Sequence, residues 1–463
     1  MTLRILPRAA ALATCLLAAC ATGGARTSAD AITRLEAERA KSPSSAAALR
    51  SLGIAYYQAQ RLTEARDALN AAELALPNDG ATALYRGLTA EGLGDLTGAR
   101  EAYTRYLGVG TSSRTKTQVR DRLAIVARSE LESTAKSAVA REGELSRVPG
   151  PPNTIAVPPL KFTGTDTNLV PLERGIAELL ITDLARSSQL TVLERERMQA
   201  LLDEVARGQT NRVDDDTKVR AGKMLQAGRL IQGGILQTGP DRIQITTNVV
   251  SVTTSQTTGS ASGDDALEQL FVLEKRIVFQ IFDNLGISLT AAERKLIDDA
   301  KPTRNLRAFL AYSRGLQAED KGDFFEAARL FNDARGMDPG FGAAGIRAAG
   351  ATSAAQGANV SSATLQASTN GTREGNAVRA AQTGTVNVTQ VGAASQVAND
   401  VNASQAANSA SNGQTYSGGG PGGQNTNGGG GPPPSNTAPA PTPPTSLPSS
   451  TGTITFVIRP PGV

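Results

Sequence analysis

Histidine and tryptophan are absent from the 463 residues, and cysteine occurs twice, at positions 15 and 20. From residue 21 onward there is neither thiol nor imidazole, so no disulfide can form in that stretch. Zinc, haem and iron–sulfur centres lose their usual ligands for the same reason, and triads built on histidine or cysteine are excluded. No run of 18 apolar residues follows position 20, which leaves no candidate for a membrane-spanning helix there. Strong charge of one sign is lacking too: without Arg4 and Arg8 the formal charge falls from +4 to +2, too small for a nucleic-acid footprint. The remaining catalytic signals are weak. The stretch "GSASG" at 259–263 has Ala261 where a nucleophile elbow needs serine, and "AGKM" at 221–224 lacks the hydroxyl and the earlier glycine of a phosphate loop. The acidic groups Asp214–Asp216, Asp264–Asp265 and Asp298–Asp299 read as caps at helix starts. The expectation is a non-enzyme with no catalytic residue, no metal site, no cofactor and no nucleic-acid partner.

What is present begins at the first residues. Arg4 and Arg8 precede an apolar run, Ala9 to Ala19, of signal-peptide length and too short to cross a bilayer. Leu17-Ala18-Ala19-Cys20 resembles the lipobox of bacterial lipoproteins, in which cleavage before the cysteine frees it to carry lipid. Leu12-Ala13-Thr14-Cys15 is a poorer second match. Residues 1–19 then read as a lipoprotein signal peptide and Cys20 as the lipidation site. A multiply acylated cysteine holds a chain on a membrane essentially permanently. Ala21, where an aspartate would retain the protein elsewhere, resembles the outer-membrane sorting signal, which implies the periplasmic face of that membrane.

Residues 29–110 carry alanine, leucine and arginine at helical spacing. Counted from Ala46, Leu52, Gly53, Tyr56, Ala65, Leu69, Ala72 and Pro77 fit the 34-residue tetratricopeptide (TPR) pattern, and Gly87, Ala90, Ala99 and Tyr103 recur one period later. Small residues at Gly53 and Ala65 allow two antiparallel helices to approach, with Tyr56 and Leu69 filling the groove. Template position makes Arg50, Ile54, Tyr57 and Gln58 the candidate partner-binding residues of the concave face. Residues 111–152 read as a helical linker. The pattern returns at 303–356, where Gly315, Ala318, Ala327, Phe331, Ala334 and Pro339 fit the template and "FGAAGIRAAGATSAA" supplies a capping helix. Such stacks need about three repeats to stand alone, so each group rests on something else.

Residues 153–300 have a different grain. "NTIAVPPL" is a short strand ended by Pro158-Pro159, Leu169 to Ser187 an amphipathic helix, and "LTVL" at 190–193 a second strand. Helices over 195–207 and 214–225 follow, then strands over 229–237, 242–252 and 256–262, and a long helix from Asp264 to near Gly286. This order implies an α+β fold: a mixed sheet with helices on one face, flanked by TPR-like hairpins. Residues 357–450, poor in charge and rich in alanine, glycine, serine, asparagine, threonine and proline, read as a disordered low-complexity tail. "QTGTVNVTQ" at 382–390 is faintly similar to curlin repeats. Residues 451–463, with "TITFVIRPP", would make one strand with no obvious partner.

Several segments together carry a family resemblance: "TIAVPPL", "GIAELLITDLARSSQLTVLERERMQALLDE", "AGKMLQAGRLIQGGI" and "QITTNVVSVTTSQ". They resemble the periplasmic domain of the CsgG family of curli-secretion and surface-polymer assembly lipoproteins, related in pattern to the TolB amino-terminal domain. Its most specific piece is Val192-Leu193-Glu194-Arg195-Glu196, with Met198, Leu201 and Leu202 behind it. The resemblance implies a role in assembly or export of a surface structure, with homo-oligomerisation through this domain and protein partners on the repeats. A TolB-like envelope sensor or ligand-binding module is the alternative. One departure stands out: the loops between the predicted strands are too short for bilayer-crossing hairpins, whose strands need about 9 to 11 residues each. The resemblance therefore carries the soluble fold and the anchor without a pore.

Overall fold

The computed structural model describes residues 28–208 and 214–386. Cys20, the signal segment 1–19 and the strand expected at 451–463 lie outside these residues, as does most of the expected tail. The chain divides into two compact units. Among the described residues the first holds 28–89, 109–111 and 370–386, the second 90–108 and 112–369.

In the first unit, helix α1 (28–41) precedes α2 (Ala46–Gln58), α3 (Leu62–Ala75) and most of α4 (Gly80–Gly92). Ser45 starts α2 by accepting from the Ala48 N–H at 3.3 Å. The α2–α3 hairpin closes as the spacing predicts: a Cβ on Gly53 would lie 2.5 Å from Leu69 Cγ, so only glycine admits the leucine. The last described helix, α17 below, packs on α2.

The second unit contains α5 (Leu96–Val109), the long α6 (Ser113–Ala140) and the single turn α7 (Glu142–Leu145). Then come β1 (Thr154–Ala156), β2 (Lys161–Thr163), α8 (Leu172–Leu184), β3 (Thr191–Val192), α9 (Arg195–Gly208) and α10 (Asp215–Met224). Strands β4 (Arg229–Gly239), β5 (Arg242–Ser251) and β6 (Thr257–Ala266) are followed by α11 (Leu270–Leu285) and α12 (Ala291–Asp299). Helices α13 (Leu306–Asp320), α14 (Phe324–Met337), α15 (Gly342–Gly357) and α16 (Ser362–Ser368) complete it; α17 (Arg373–Thr383) belongs to the first unit.

The sheet is mixed, in the order β3-β1-β4-β5-β6, with β2 parallel to the outer part of β4. Alternation along β4 and β5 sorts the side chains. Ile231, Ile235, Ile243, Ile245 and Val249 join α8 and α11 in one core, whereas Leu230, Val250 and Ala156 join α9 and α10 in another. Helices thus cover both faces of the sheet, correcting the one-sided arrangement expected. The second core was hidden because "RLI" and "NVV" read as plain apolar runs rather than as residues split between two faces. The first core continues without a break into α13, α14 and α15 through Phe309, Tyr312, Phe331 and Phe341. Contact between α8 and α13 is so close that a Cβ on Gly175 would lie 2.1 Å from Ser313 Oγ.

Three further expectations are corrected. Asp264 and Asp265 sit on β6, not at a helix start, each held by an arginine: Arg242 at 2.6 Å and Arg276 at 3.0 Å. Asp298 and Asp299 end α12 rather than start it, while Asp214 does cap α10 by accepting from the Thr217 N–H at 2.9 Å. The tail expected to be disordered from 357 instead forms α16 and α17. Its small residues pack by close approach: a Cβ on Gly357 would lie 2.0 Å from the Asp121 carbonyl oxygen, and Glu374 accepts from Thr111 N–H and Oγ1 at 2.8 Å each. The "linker" is α6, packed along α9 and α15.

The second hairpin repeats the first one's device. A Cβ on Gly315 would lie 2.5 Å from the Phe331 ring, at the same sixteen-residue separation as Gly53 and Leu69. Gly315→Val is expected to lower stability by about 1–3 kcal/mol by overpacking, read as a shift in urea midpoint, and a Phe331→Leu partner should recover part of the loss. Full stability in the single variant would refute this account of the hairpin.

Candidate functional site

The corner between β3 and α9 places Arg195 at the first position of α9, where the chain turns into the space between α8 and α13. Its guanidinium is buried and ringed by carboxylates from three helices. Nη1 donates to Asp320 Oδ1, Nη2 lies 3.1 Å from Glu319 Oε2 and 3.2 Å from Glu196 Oε1, and Nε is 3.3 Å from Glu178 Oε2. Arg347 of α15 closes the ring. Its Nη1 reaches Glu196 at 2.7 Å and Glu319 at 2.8 Å, and its Nη2 reaches Glu178 at 2.7 Å. Arg174 of α8 takes the second Asp320 oxygen at 2.7 Å. Four carboxylates face three arginines, and Arg128 of α6 brings a fourth cation, donating to the carbonyls of Glu319 and Asp320 at 3.2 and 3.1 Å.

This compensation decides the protonation states. Burial pushes the Glu196 carboxyl up, but Arg347 and Arg195 together outweigh it and hold the group well below the usual carboxylate range. Glu319 moves the other way: burial raises it and the two arginines only partly offset the effect. The Tyr312 hydroxyl, buried at the edge of the ring, is also raised by burial. Every carboxylate in the ring is engaged by an arginine. The arrangement is a clamp joining α8 and α9 of the α/β part to α13 and α15 of the helical part.

A second buried ionic group links α8 to α11. Lys275 Nζ bonds Asp183 Oδ2 and lies 3.2 Å from Glu274 Oε2, while Arg186 Nε takes Asp183 Oδ1 at 3.1 Å. Glu274 has the poorer share: burial, then the charge of Asp183, push its carboxyl up to about 8 against the opposing pull of Lys275. At neutral pH it is mostly protonated.

Of the residues expected to bind partners, Arg50, Ile54 and Tyr57 are buried, with Gln58 partly so. Arg50 Nη1 bonds Asp79 at 3.0 Å, and Tyr57 packs edge-on against Tyr85 with ring centroids 5.4 Å apart. Arg50, Ile54 and Tyr57 thus pack within the first unit. Cys20 lies outside the described residues. Sequence reasoning found Arg195 but missed Arg347, Glu319, Asp320, Glu178 and Glu274. The available signal was a charge on an otherwise apolar helix stripe, as with Arg347 among the alanines of "GIRAAG" and Glu274-Lys275 inside "LFVLEKRIVF".

Residues 159–241 match the profile of the family described as "Curli production assembly/transport component CsgG". The matched stretch runs from the loop before β2 to the turn between β4 and β5, and so includes Arg174, Glu178, Arg195 and Glu196. A search of curated proteins finds no match to the chain. The helical hairpins match no family profile, so their geometry is established and their assignment as TPR units is not.

Removing one partner of a buried ionic cluster strands the others, at a typical cost of about 3–5 kcal/mol. Arg195→Met and Arg347→Met are each expected to lose that much in urea unfolding followed by circular dichroism, whereas Arg207→Met, exposed on the same α9, should lose almost nothing. Glu274 gives a pH signature of opposite sense to ordinary acid unfolding. Because its carboxyl is raised from 4.5 to about 8, the folded state holds the proton more tightly. Its contribution is therefore full below about 4.5 and is lost as pH rises towards 8. Glu274→Gln should flatten the stability profile between about pH 4.5 and 8; an unchanged slope would show that Glu274 is ionised in the fold.

Proposed function

We propose that this chain is a non-catalytic, lipid-anchored scaffold in assembly or export of a cell-surface polymer or envelope structure. It sits on the periplasmic face of the outer membrane through Cys20, self-associates through its CsgG-like part and binds protein partners through its TPR-like hairpins. The observation that carries the assembly reading is the CsgG-type match over 159–241. Two features of the same region support a role without a pore. The β4–β5 connection is the two-residue turn Pro240-Asp241, and β5 and β6 are joined by residues 252–256. The apolar residues of β4 and β5 other than Leu236 are packed against α8, α9, α10 and α11. Among the described residues no helix is long and apolar enough to cross a membrane. Attachment thus falls to the acyl chains, each buried methylene contributing about 0.8 kcal/mol.

Metabolic labelling of cells with a radioactive fatty acid tests the anchor. Wild type should take up label and sediment with membranes, and Cys20→Ser should lose both; label retained in the variant would overturn the assignment. Light scattering on Cys20→Ser protein tests assembly. A closed oligomer is expected, while a strict monomer would favour a TolB-like sensor, and ion conductance across planar bilayers would overturn the poreless reading.

A further inference from the structure

β6 is the outer strand of the sheet, bonded to β5 on one side only. Its sequence, TTGSASGDDA, has neither lysine nor proline, the usual protections of an edge strand. Two of its outward backbone groups are met by side chains of α11. Gln280 Oε1 accepts from the Ser262 N–H at 3.0 Å, and Asn284 Nδ2 donates to the Ser260 carbonyl at 2.8 Å. These exposed amides stand where the donor and acceptor of a neighbouring strand would stand. We propose that this edge is a strand-accepting site and that its occupant is the chain's own C-terminal segment, residues 453–459 (TITFVIR), which lie outside the described residues.

The two sides of β6 set the pattern an added strand must have. One face lies under α11: Ala261 is buried there, and Gly259 and Gly263 abut Asn284 and Leu273. The other presents Ser260, Ser262 and Asp264 to solvent. An accepted strand therefore needs alternating apolar and polar residues. In 453–459, Ile454, Phe456 and Ile458 fall on one face and Thr453, Thr455, Val457 and Arg459 on the other, and Pro460-Pro461 stop the run. The apolar face has ground to meet, since Val272 is exposed one turn before Arg276, the residue that bonds Asp265 of β6. With Arg459 beside Asp264, the added strand runs parallel to β6. Parallel pairing needs a long connection, and the chain between 386 and 453 spans up to roughly 220 Å when extended, at about 3.3 Å per residue. Tethering makes the encounter intramolecular, with an effective concentration on the order of millimolar.

The near absence of cysteine provides the test. In full-length protein carrying Cys15→Ser and Cys20→Ser, Ser260→Cys is paired either with Thr455→Cys or with the control Ser417→Cys, and mild oxidation is followed on denaturing gels. The proposal expects a cross-link within one chain at 455 at least tenfold faster than at 417. Equal rates overturn it, and cross-links formed only between chains give the edge to a second copy instead. Hydrogen exchange at the Asp264 amide is the independent measurement, on a background without cysteine in the strand. Exchange should quicken at least tenfold in full-length Phe456→Asp, and an unchanged rate would sink the proposal even if the cysteine variants fail to fold.

Discussion

Burying the Arg195 guanidinium is the constraint on which the second unit depends. A charge of that size taken out of water costs several kcal/mol unless carboxylates replace its hydration. The carboxylates come from α8, α9 and α13, and Arg347 of α15 holds three of them in place. The β3–α9 corner therefore cannot take this form until α13, whose Asp320 lies 125 residues after Arg195, has docked. A boundary near residue 300, which composition suggests, is a boundary in sequence only. The apolar core runs across it from Ile231 and Ile245 to Phe331 and Phe341.

That shared core explains how one hairpin stands without the neighbours a repeat stack ordinarily needs. α13 packs on α8 at Gly175, where no side chain larger than hydrogen fits against Ser313, and α14 closes on α13 at Gly315. The sheet-bound α8 takes the place of the preceding repeat, and α15 takes the place of the next. The same logic governs the sheet. With α8 and α11 on one face and α9 and α10 on the other, its apolar side chains other than Leu236 are committed to protein, while β6 leaves Ser260, Ser262 and Asp264 to solvent.

The parts of this architecture legible in sequence are those set by local periodicity. The α8 stripe of Leu172, Ile176, Leu179, Leu180 and Leu184 is buried as its spacing requires, and Gly286 ends α11 in the left-handed conformation only glycine adopts cheaply. The glycine–large-residue pairs Gly53–Leu69 and Gly315–Phe331 were legible for the same reason. The sequence misleads where a residue's role is fixed by a distant partner. Asp264 and Asp265 look like a cap until Arg242 and Arg276 are seen to hold them in a strand. Residues 362–383 have too few large apolar side chains to advertise a fold, yet α16 packs on α6 and α17 on α2.

A well-packed apolar patch between α8, α9, α13 and α15 would bind these helices at least as tightly as the ionic ring, since buried ion pairs rarely exceed hydrophobic replacements in stability. What the ring adds is geometry. Leucines facing leucines tolerate sliding by a fraction of a turn, but Arg195 reaches Glu178, Glu196, Glu319 and Asp320 together from one position only, and Arg347 shares three of those four partners. Displacement of any one helix leaves at least two buried charges unmatched. The cost of misplacement is then several kcal/mol for a small movement, steeper than dispersion between aliphatic side chains supplies. Stiffness between the α/β part and the helical part is the property the cluster contributes.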